Sequence, residues 1–107
     1  MEIKSAVIAL TALAHNSRLA VFRLLVEAGP DGLAAATIAD RLAIAPSSLS
    51  FHLKELSHAS MVTATPQGRS IIYSAQFTTM QALLAYLTEN CCAGTPCKPS
   101  HAAARIR

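Results

Sequence analysis

The sequence is most constrained by a change in the spacing of its apolar residues near residue 60. Before it, apolar residues recur every three or four positions, which is typical of amphipathic helices. After it, residues 61–65 and 70–74 are rich in Val, Thr, Ile and Tyr and are separated by residues 66–69, which predicts a β-hairpin. Helical spacing returns from Phe77 to about Asn90. The sequence therefore predicts a mainly α-helical fold with one β-hairpin.

Four helices are predicted before the hairpin, and their ends follow from capping and turn residues. Ser and Asn favour a helix start, Gly favours a helix end, and Pro suits a first helical position. The predicted bounds are residues 3–14 for the first helix, Asn16 or Ser17 to the turn 29–32 for the second, about Ala34 to Leu42 for the third, and Pro46 onwards for the fourth. Three residues, 43–45, separate the third helix from the fourth.

The size and composition of the chain indicate one domain. Because 52% of the residues are hydrophobic and only 14% are charged, the chain can bury a core, which excludes disorder over most of its length. Its length of 107 residues excludes an enzyme with two domains. No stretch approaches about 20 consecutive apolar residues, so we predict no membrane span and a cytoplasmic protein. We assign residues 1–92 to the compact domain and residues 93–107 to a cysteine-containing loop and a flexible basic tail. The formal net charge of +3 comes from Lys98, Arg105 and Arg107 in that tail.

Two short helices joined by three residues and followed at once by a hairpin are the winged helix-turn-helix arrangement. We expect apolar residues such as Ile38, Leu49 and Leu53 to clamp the two helices, which leaves the other face of the second helix in solvent. That face is polar and rich in hydroxyl groups, which suits base edges and phosphates in a major groove. Its residues are Ser47, Ser48, Ser50, His52 and Lys54. At the hairpin tip, Gln67 and Arg69 are predicted to contact the neighbouring minor groove or the DNA backbone.

The chain resembles the ArsR/SmtB family of metal-responsive repressors over about residues 10–92. The resemblance runs through residues 13–19 and 38–42, and most specifically through residues 47–56, SSLSFHLKEL. Gly68-Arg69 fits the wing of that family. The resemblance implies a homodimer paired through its first and last helices, bound to palindromic operator double-stranded DNA. It also implies repression of a small operon, relieved when an inducer binds.

The sequence departs from the family pattern at two kinds of position. Ser60 stands where the family usually has a Gly that accepts a left-handed backbone, a substitution that costs on the order of 1 kcal/mol. The familiar sensing sites are also missing, because residues 34–37 carry no cysteine pair and the last helix lacks the carboxylate and histidine sets that bind zinc. We therefore assign sensing to Cys91, Cys92 and Cys97.

Three clustered thiols can form a soft, three-pronged site. Adjacent residues of a helix point about 100° apart, so Cys91 and Cys92 converge only where the last turn ends. Gly94 and Pro96 could then return Cys97 to the pair. Three sulfur atoms suit trivalent arsenic or antimony and disfavour hard cations. The resemblance implies As(III), Sb(III) or a methylated arsenical as the inducer, and an arsenic-resistance operon as the target.

Other interpretations stay open. Zinc favours four donors, which His101 would complete beside the three cysteines. A disulfide between Cys97 and Cys91 or Cys92 would make the protein a redox sensor. Two further interpretations are that the thiols are incidental and that the serines of the fourth helix only cap it. A winged-helix protein that binds another protein is a further class. A thiol enzyme lacks support, because no oriented base, anion-binding loop or Cys-x-x-Cys motif accompanies the cysteines, so we predict no enzyme.

Overall fold

The computed structural model describes residues 1–94 and shows five helices and a three-stranded sheet. The helices are α1 (Ile3–Leu13), α2 (Asn16–Ala28), α3 (Ala35–Leu42), α4 (Pro46–His58) and α5 (Phe77–Leu87), and the strands are β1 (Leu33–Ala34), β2 (Val62–Gln67) and β3 (Ser70–Ala75). A short turn, Cys91–Gly94, follows α5. The predicted fold class, a mainly α winged helix-turn-helix, is confirmed. Cys97, His101 and residues 95–107 of the predicted tail lie outside the described residues.

The sheet contains one strand that the sequence did not predict. Its order is β1-β3-β2, and both pairs are antiparallel. The two residues of β1 pair with Tyr73 and Ile72 of β3, which ties the hairpin to the start of α3. Just before β1, Gly32 has a φ of +68°, and a Cβ atom there would collide with the backbone carbonyl of Tyr73. The close approach of these two backbones therefore requires glycine.

The hairpin turn is shorter than predicted. Pro66 and Gln67 belong to β2, where they pair with Ile71 and Ser70, so Gly68 and Arg69 alone form the turn. Proline is tolerated there because β2 is an edge strand, whose outward N–H groups need no partner.

The core lies where the helix-turn-helix meets α2 and the base of the sheet. Its fully buried large side chains are Val21, Leu25, Ile38, Leu49, Leu53, Leu56 and Met61. Leu42 and Ile44 pack against this cluster, as the clamp predicted between the third and fourth helices requires. The clamp fixes α4 against α3 and leaves one side of α4 in solvent.

The first helix buries its small residues rather than its large ones. Ala6, Ala9 and Ala12 are buried, whereas Ile3 and Val7, which the spacing places on an apolar stripe, are exposed. Small side chains let the backbone of α1 approach its neighbours closely. The large apolar residues of α1 therefore form an outer surface of the chain.

The junction between α1 and α2 differs from its prediction in the capping residue. His15, not Asn16 or Ser17, is the N-cap of α2, and its Nδ1 accepts a hydrogen bond from the backbone N–H of Ser17 at 3.1 Å. The imidazole nitrogen takes the role that a hydroxyl or amide oxygen usually has.

Within residues 1–94 no single helix is long and apolar enough to cross a membrane. The helices α1 and α2 reach that length and composition only as a pair bent by 101°.

Candidate nucleic-acid interface and thiol cluster

The exposed side of α4 carries most of the predicted DNA-contacting residues. Pro46 begins the helix, and the side chains of Ser47, Ser48 and Ser50 are exposed in its first two turns. Lys54 is exposed one turn further along. We call these four residues, with Phe51 discussed below, the reading face. Its hydroxyl groups and one ammonium group can donate hydrogen bonds to base edges and phosphates.

His52 is not part of the reading face, and the prediction that it projects into solvent is wrong. It follows Leu49 by three positions and precedes Leu56 by four, so helical geometry places it on the buried side, where it is 8% exposed. Its ring centroid lies 4.7 Å from that of His15. No hydrogen-bond partner for its Nδ1 is found among residues 1–94. Burial lowers the pKa of His52, and the nearby charges of His15 and Arg18 lower it further.

Phe51 is exposed on α4 and was not assigned a role from the sequence. It lies one helical turn after Ser47 and one before Lys54, and its side chain is 55% exposed. Its ring meets that of His52 edge-on, with the centroids 5.9 Å apart. The same 3.6-residue spacing that places Ser47 and Lys54 on one side of the helix would have identified it.

The wing presents both of its predicted contact residues to solvent. Gln67 ends β2 and Arg69 completes the two-residue turn, and both side chains are exposed. Gly68 has a φ of +63°, which a tight hairpin turn requires. Because β1 pairs with Ile72 and Tyr73 of β3, the base of the wing is joined to the start of α3.

The turn after α4 contains the left-handed residue that the resemblance to the ArsR/SmtB family predicts at Ser60. Ser60 has a φ of +60°, in the left-handed region that favours glycine. Its N–H donates to the carbonyl of Ser57, and the next residue, Met61, donates to Leu56. The left-handed residue thus ends α4 and directs the chain into the wing.

Two thiols converge directly after α5. The Sγ atoms of Cys91 and Cys92 lie 3.5 Å apart, and both residues are exposed. The helix has ended by this point, and Asn90, Cys92 and Ala93 all have φ values near +55°. The two sulfur atoms therefore approach each other at a point where the backbone is no longer helical. Within residues 1–94 no three His, Cys, Asp or Glu side chains gather as a metal site, and Cys97 lies beyond that range.

The comparisons agree with the architecture. The family described as helix-turn-helix domain matches residues 13–64. Among solved structures, the chain is similar to an ArsR-like transcriptional regulator from Rhodococcus sp. RHA1, with a TM-score of 0.70 and 23% identity over 78% of this chain and 76% of that one. It is similar to HlyU from Vibrio cholerae N16961, with a TM-score of 0.67 and 26% identity over 86% of this chain and 99% of that one.

A third similar structure is described as a homodimer. It is the winged helix-turn-helix DNA-binding domain of a possible ArsR-family transcriptional regulator, Mb0332 from Mycobacterium bovis, with a TM-score of 0.66 and 19% identity over 90% of this chain and 89% of that one. Among curated proteins no sequence gives a significant match. The fold of the chain is thus that of winged helix-turn-helix regulators.

Proposed function

We propose that this winged helix-turn-helix protein is a DNA-binding transcriptional repressor of the ArsR/SmtB type. In this proposal it binds a palindromic operator as a homodimer and leaves it when As(III) or Sb(III) binds thiols at the end of α5. The observation that carries the proposal is the reading face of α4, which is held in solvent by a buried clamp and flanked by the wing. The proposal assigns the protein no catalytic activity.

The reading face and the wing supply the two kinds of contact that DNA binding needs. The first turns of α4 carry serine hydroxyls that can approach base edges, and helix N-termini favour phosphate. Lys54 and Arg69 add positive charge on the helix and at the wing tip. These charges position the protein, whereas contacts with base edges select the sequence.

The homodimer is supported by apolar surface on the first and last helices. Ile3, Val7 and Leu10 of α1 and Leu84 and Leu87 of α5 are exposed, with between 42% and 69% of their surfaces accessible. The two helices pack against each other, and exposed apolar residues on neighbouring helices of a small domain are typical of a protein interface. The homodimeric description of the similar Mycobacterium bovis domain supports the same arrangement.

The thiol cluster fits a soft ion. Thiolate sulfur binds zinc at about 2.3 Å, so two sulfur atoms less than ~4.6 Å apart can share one ion of that size. Cys91 and Cys92 meet this condition at 3.5 Å. Trivalent arsenic and antimony take three sulfurs, and we assign the third to Cys97. Zinc or thiol oxidation at the same cysteines is the alternative.

The proposed mechanism couples the thiols to DNA through the dimer interface. A dimer can bind a palindrome only when its two reading helices are about 34–36 Å apart, one turn of DNA. The thiols lie directly after α5, which carries exposed apolar residues of the proposed interface, so an ion that reorders this segment changes that spacing. By linkage, an inducer that prefers the DNA-free form weakens operator affinity by the same factor that DNA weakens inducer binding.

Operator binding with and without arsenite tests this proposal. We expect wild-type protein to bind duplex DNA more weakly as salt rises, because phosphate contacts release counterions. Arsenite should release the wild type but not Cys92→Ser, and zinc or peroxide in place of arsenite tests the alternative. Cys97→Ser should lose the response to arsenite while retaining a response to a methylated arsenical, which needs two thiols.

Two outcomes contradict the proposal at different points. If arsenite releases Cys92→Ser as well as the wild type, the thiols are not the sensor. If the reduced protein ignores duplex DNA at low salt, the repressor assignment is wrong.

A further inference from the structure

We propose that Phe51 reads the C5-methyl group of thymine, so that each half of the operator carries a thymine under the middle of α4. The inference rests on the proposed function, because it assigns a DNA contact to a residue of the reading face. It deepens that function by naming the base on which recognition depends.

The position of Phe51 is central on the reading face. The buried residues of α4 are Leu49, His52, Leu53 and Leu56, and Phe51 lies on the opposite side of the helix from them. Ser47 precedes it by one turn and Lys54 follows it by nearly one turn, so the ring lies between a hydroxyl and an ammonium group. A helix that enters a major groove with this face brings the ring to the floor of the groove.

The ring also contacts a buried neighbour. It meets the ring of His52 edge-on at 5.9 Å, and His52 is itself buried against His15. A side chain ordered before binding loses less conformational entropy when it meets DNA. An exposed aromatic ring supported by a buried neighbour is therefore suited to a fixed contact.

The chemistry of the helix start limits what this contact can recognise. The first eight residues of α4, 46–53, contain no Arg, Lys, Asn or Gln, the side chains that read guanine and adenine through paired hydrogen bonds. Serine hydroxyls accept or donate and discriminate less. Among the groups that bases present in the major groove, the thymine methyl is the one that an apolar ring contacts favourably. A cytosine or adenine amino group under Phe51 would instead lose its hydrogen bond to water.

The expected effect follows from the burial of one methyl group. Removing it should weaken binding about four-fold at each contacted thymine. A symmetric dimer repeats the contact in both half-sites, so removing both methyl groups should weaken binding about fifteen-fold.

Base-analogue substitution tests the inference. Duplexes are first selected from a random-sequence library by the wild-type protein, and each thymine of the selected site is then replaced by deoxyuridine, which lacks the methyl group. We expect that replacing both thymines of one symmetric pair will weaken binding about fifteen-fold. At that pair, 5-methylcytosine paired with guanine should bind more tightly than unmethylated cytosine.

Two variants of the reading face give the matched comparison. Phe51→Ala should bind thymine and deoxyuridine duplexes equally, and because the ring lies outside the core the variant should stay folded under the binding conditions. Lys54→Ala should weaken binding to both duplexes by the same factor and should reduce the salt dependence.

The outcomes separate this inference from the proposed function. Equal wild-type affinity for thymine and deoxyuridine at every position, or discrimination that survives in Phe51→Ala, overturns the reading of thymine and leaves DNA binding intact. A protein that selects no duplex at all overturns both.

Discussion

At the scale of single residues, His52 occupies an unusual place for a polar side chain. It lies on α4, the helix that carries the proposed DNA-contacting residues, yet it is buried against His15, the residue that caps α2. A protonated imidazole there would lie beside Arg18 as well as His15, away from water. The fold therefore favours the neutral form of His52.

The stability of the protein should depend on pH through this residue. Because the pKa of His52 is lower in the folded chain than its ordinary value of 6.5, the unfolded chain takes up the proton first as pH falls. The free energy of unfolding should thus decrease as pH drops below 6.5 and level off once pH is below the folded pKa. Urea unfolding at a series of pH values should show this decrease, and His52→Leu should reduce its slope. His58→Leu, at an exposed position of the same helix, is the control, and an unchanged slope in His52→Leu would contradict the assignment.

Ser60 offers a second prediction at the scale of single residues. Its φ of +60° disfavours any residue with a Cβ atom, so Ser60→Gly should raise the free energy of unfolding by about 1 kcal/mol. The neighbouring Ala59 has a φ of −87°, where glycine only adds freedom to the unfolded chain, so Ala59→Gly should lower it by about 0.5–1 kcal/mol. Urea midpoints of the two variants compare them directly. A destabilised Ser60→Gly would show that the serine side chain makes a compensating contact.

The reading face shows how far sequence alone reaches at this scale. Residue types and helical spacing correctly place Ser47, Ser50 and Lys54 in solvent. The polarity of His52 suggests an exposed position, but its spacing from Leu49 places it on the buried side of α4, and the same spacing places the apolar Phe51 in solvent. In both cases the 3.6-residue period outweighs the chemical type of the side chain.

At the scale of elements, the link between β1 and β3 fixes the wing to the helical body. Gly32→Ala would place a methyl group against the backbone of Tyr73, in addition to the strain of a φ of +68°. We expect it to destabilise the protein by more than about 2 kcal/mol. Gly68 has a similar φ of +63° but open space around it, so Gly68→Ala should lower the free energy of unfolding by only about 1 kcal/mol. Equal losses in thermal or urea unfolding would mean that the contact between the two backbones is unimportant.

The elements themselves were largely predictable, and the exceptions have physical causes. All five helices and the hairpin follow from the periodicity of apolar residues and from the turn residues between them. The strand β1 has only two residues and forms because β3 lies beside it, so no local sequence pattern predicts it. The helix α1 is predictable from the sequence, but its buried side is not. Hydrophobicity alone would bury Ile3 and Val7, whereas the structure buries Ala6 and Ala9, whose small side chains allow close packing.

At the scale of the whole molecule, the exposed apolar residues of α1 and α5 predict how two copies associate. A stable interface buries about 800 Å² on each partner, and a carboxylate at its centre is strongly unfavourable. We expect Leu87→Glu to sediment as a monomer and to lose affinity for a palindromic operator by more than ten-fold. Ile71→Glu, at a comparably exposed apolar position of the wing, should sediment as the wild type does. A dimeric Leu87→Glu would place the interface elsewhere.

The turn Cys91–Gly94 contributes no side chain to the core. Residues there can therefore be exchanged with little loss of folding free energy, in contrast to those of the clamp around α4. Under the proposed function, the sulfur donors could therefore be replaced one at a time, and a response to a different signal acquired, without any change in the reading face. Amino-acid differences among related proteins should accordingly be more frequent in the segment after α5 than among the buried residues that hold α4 in place.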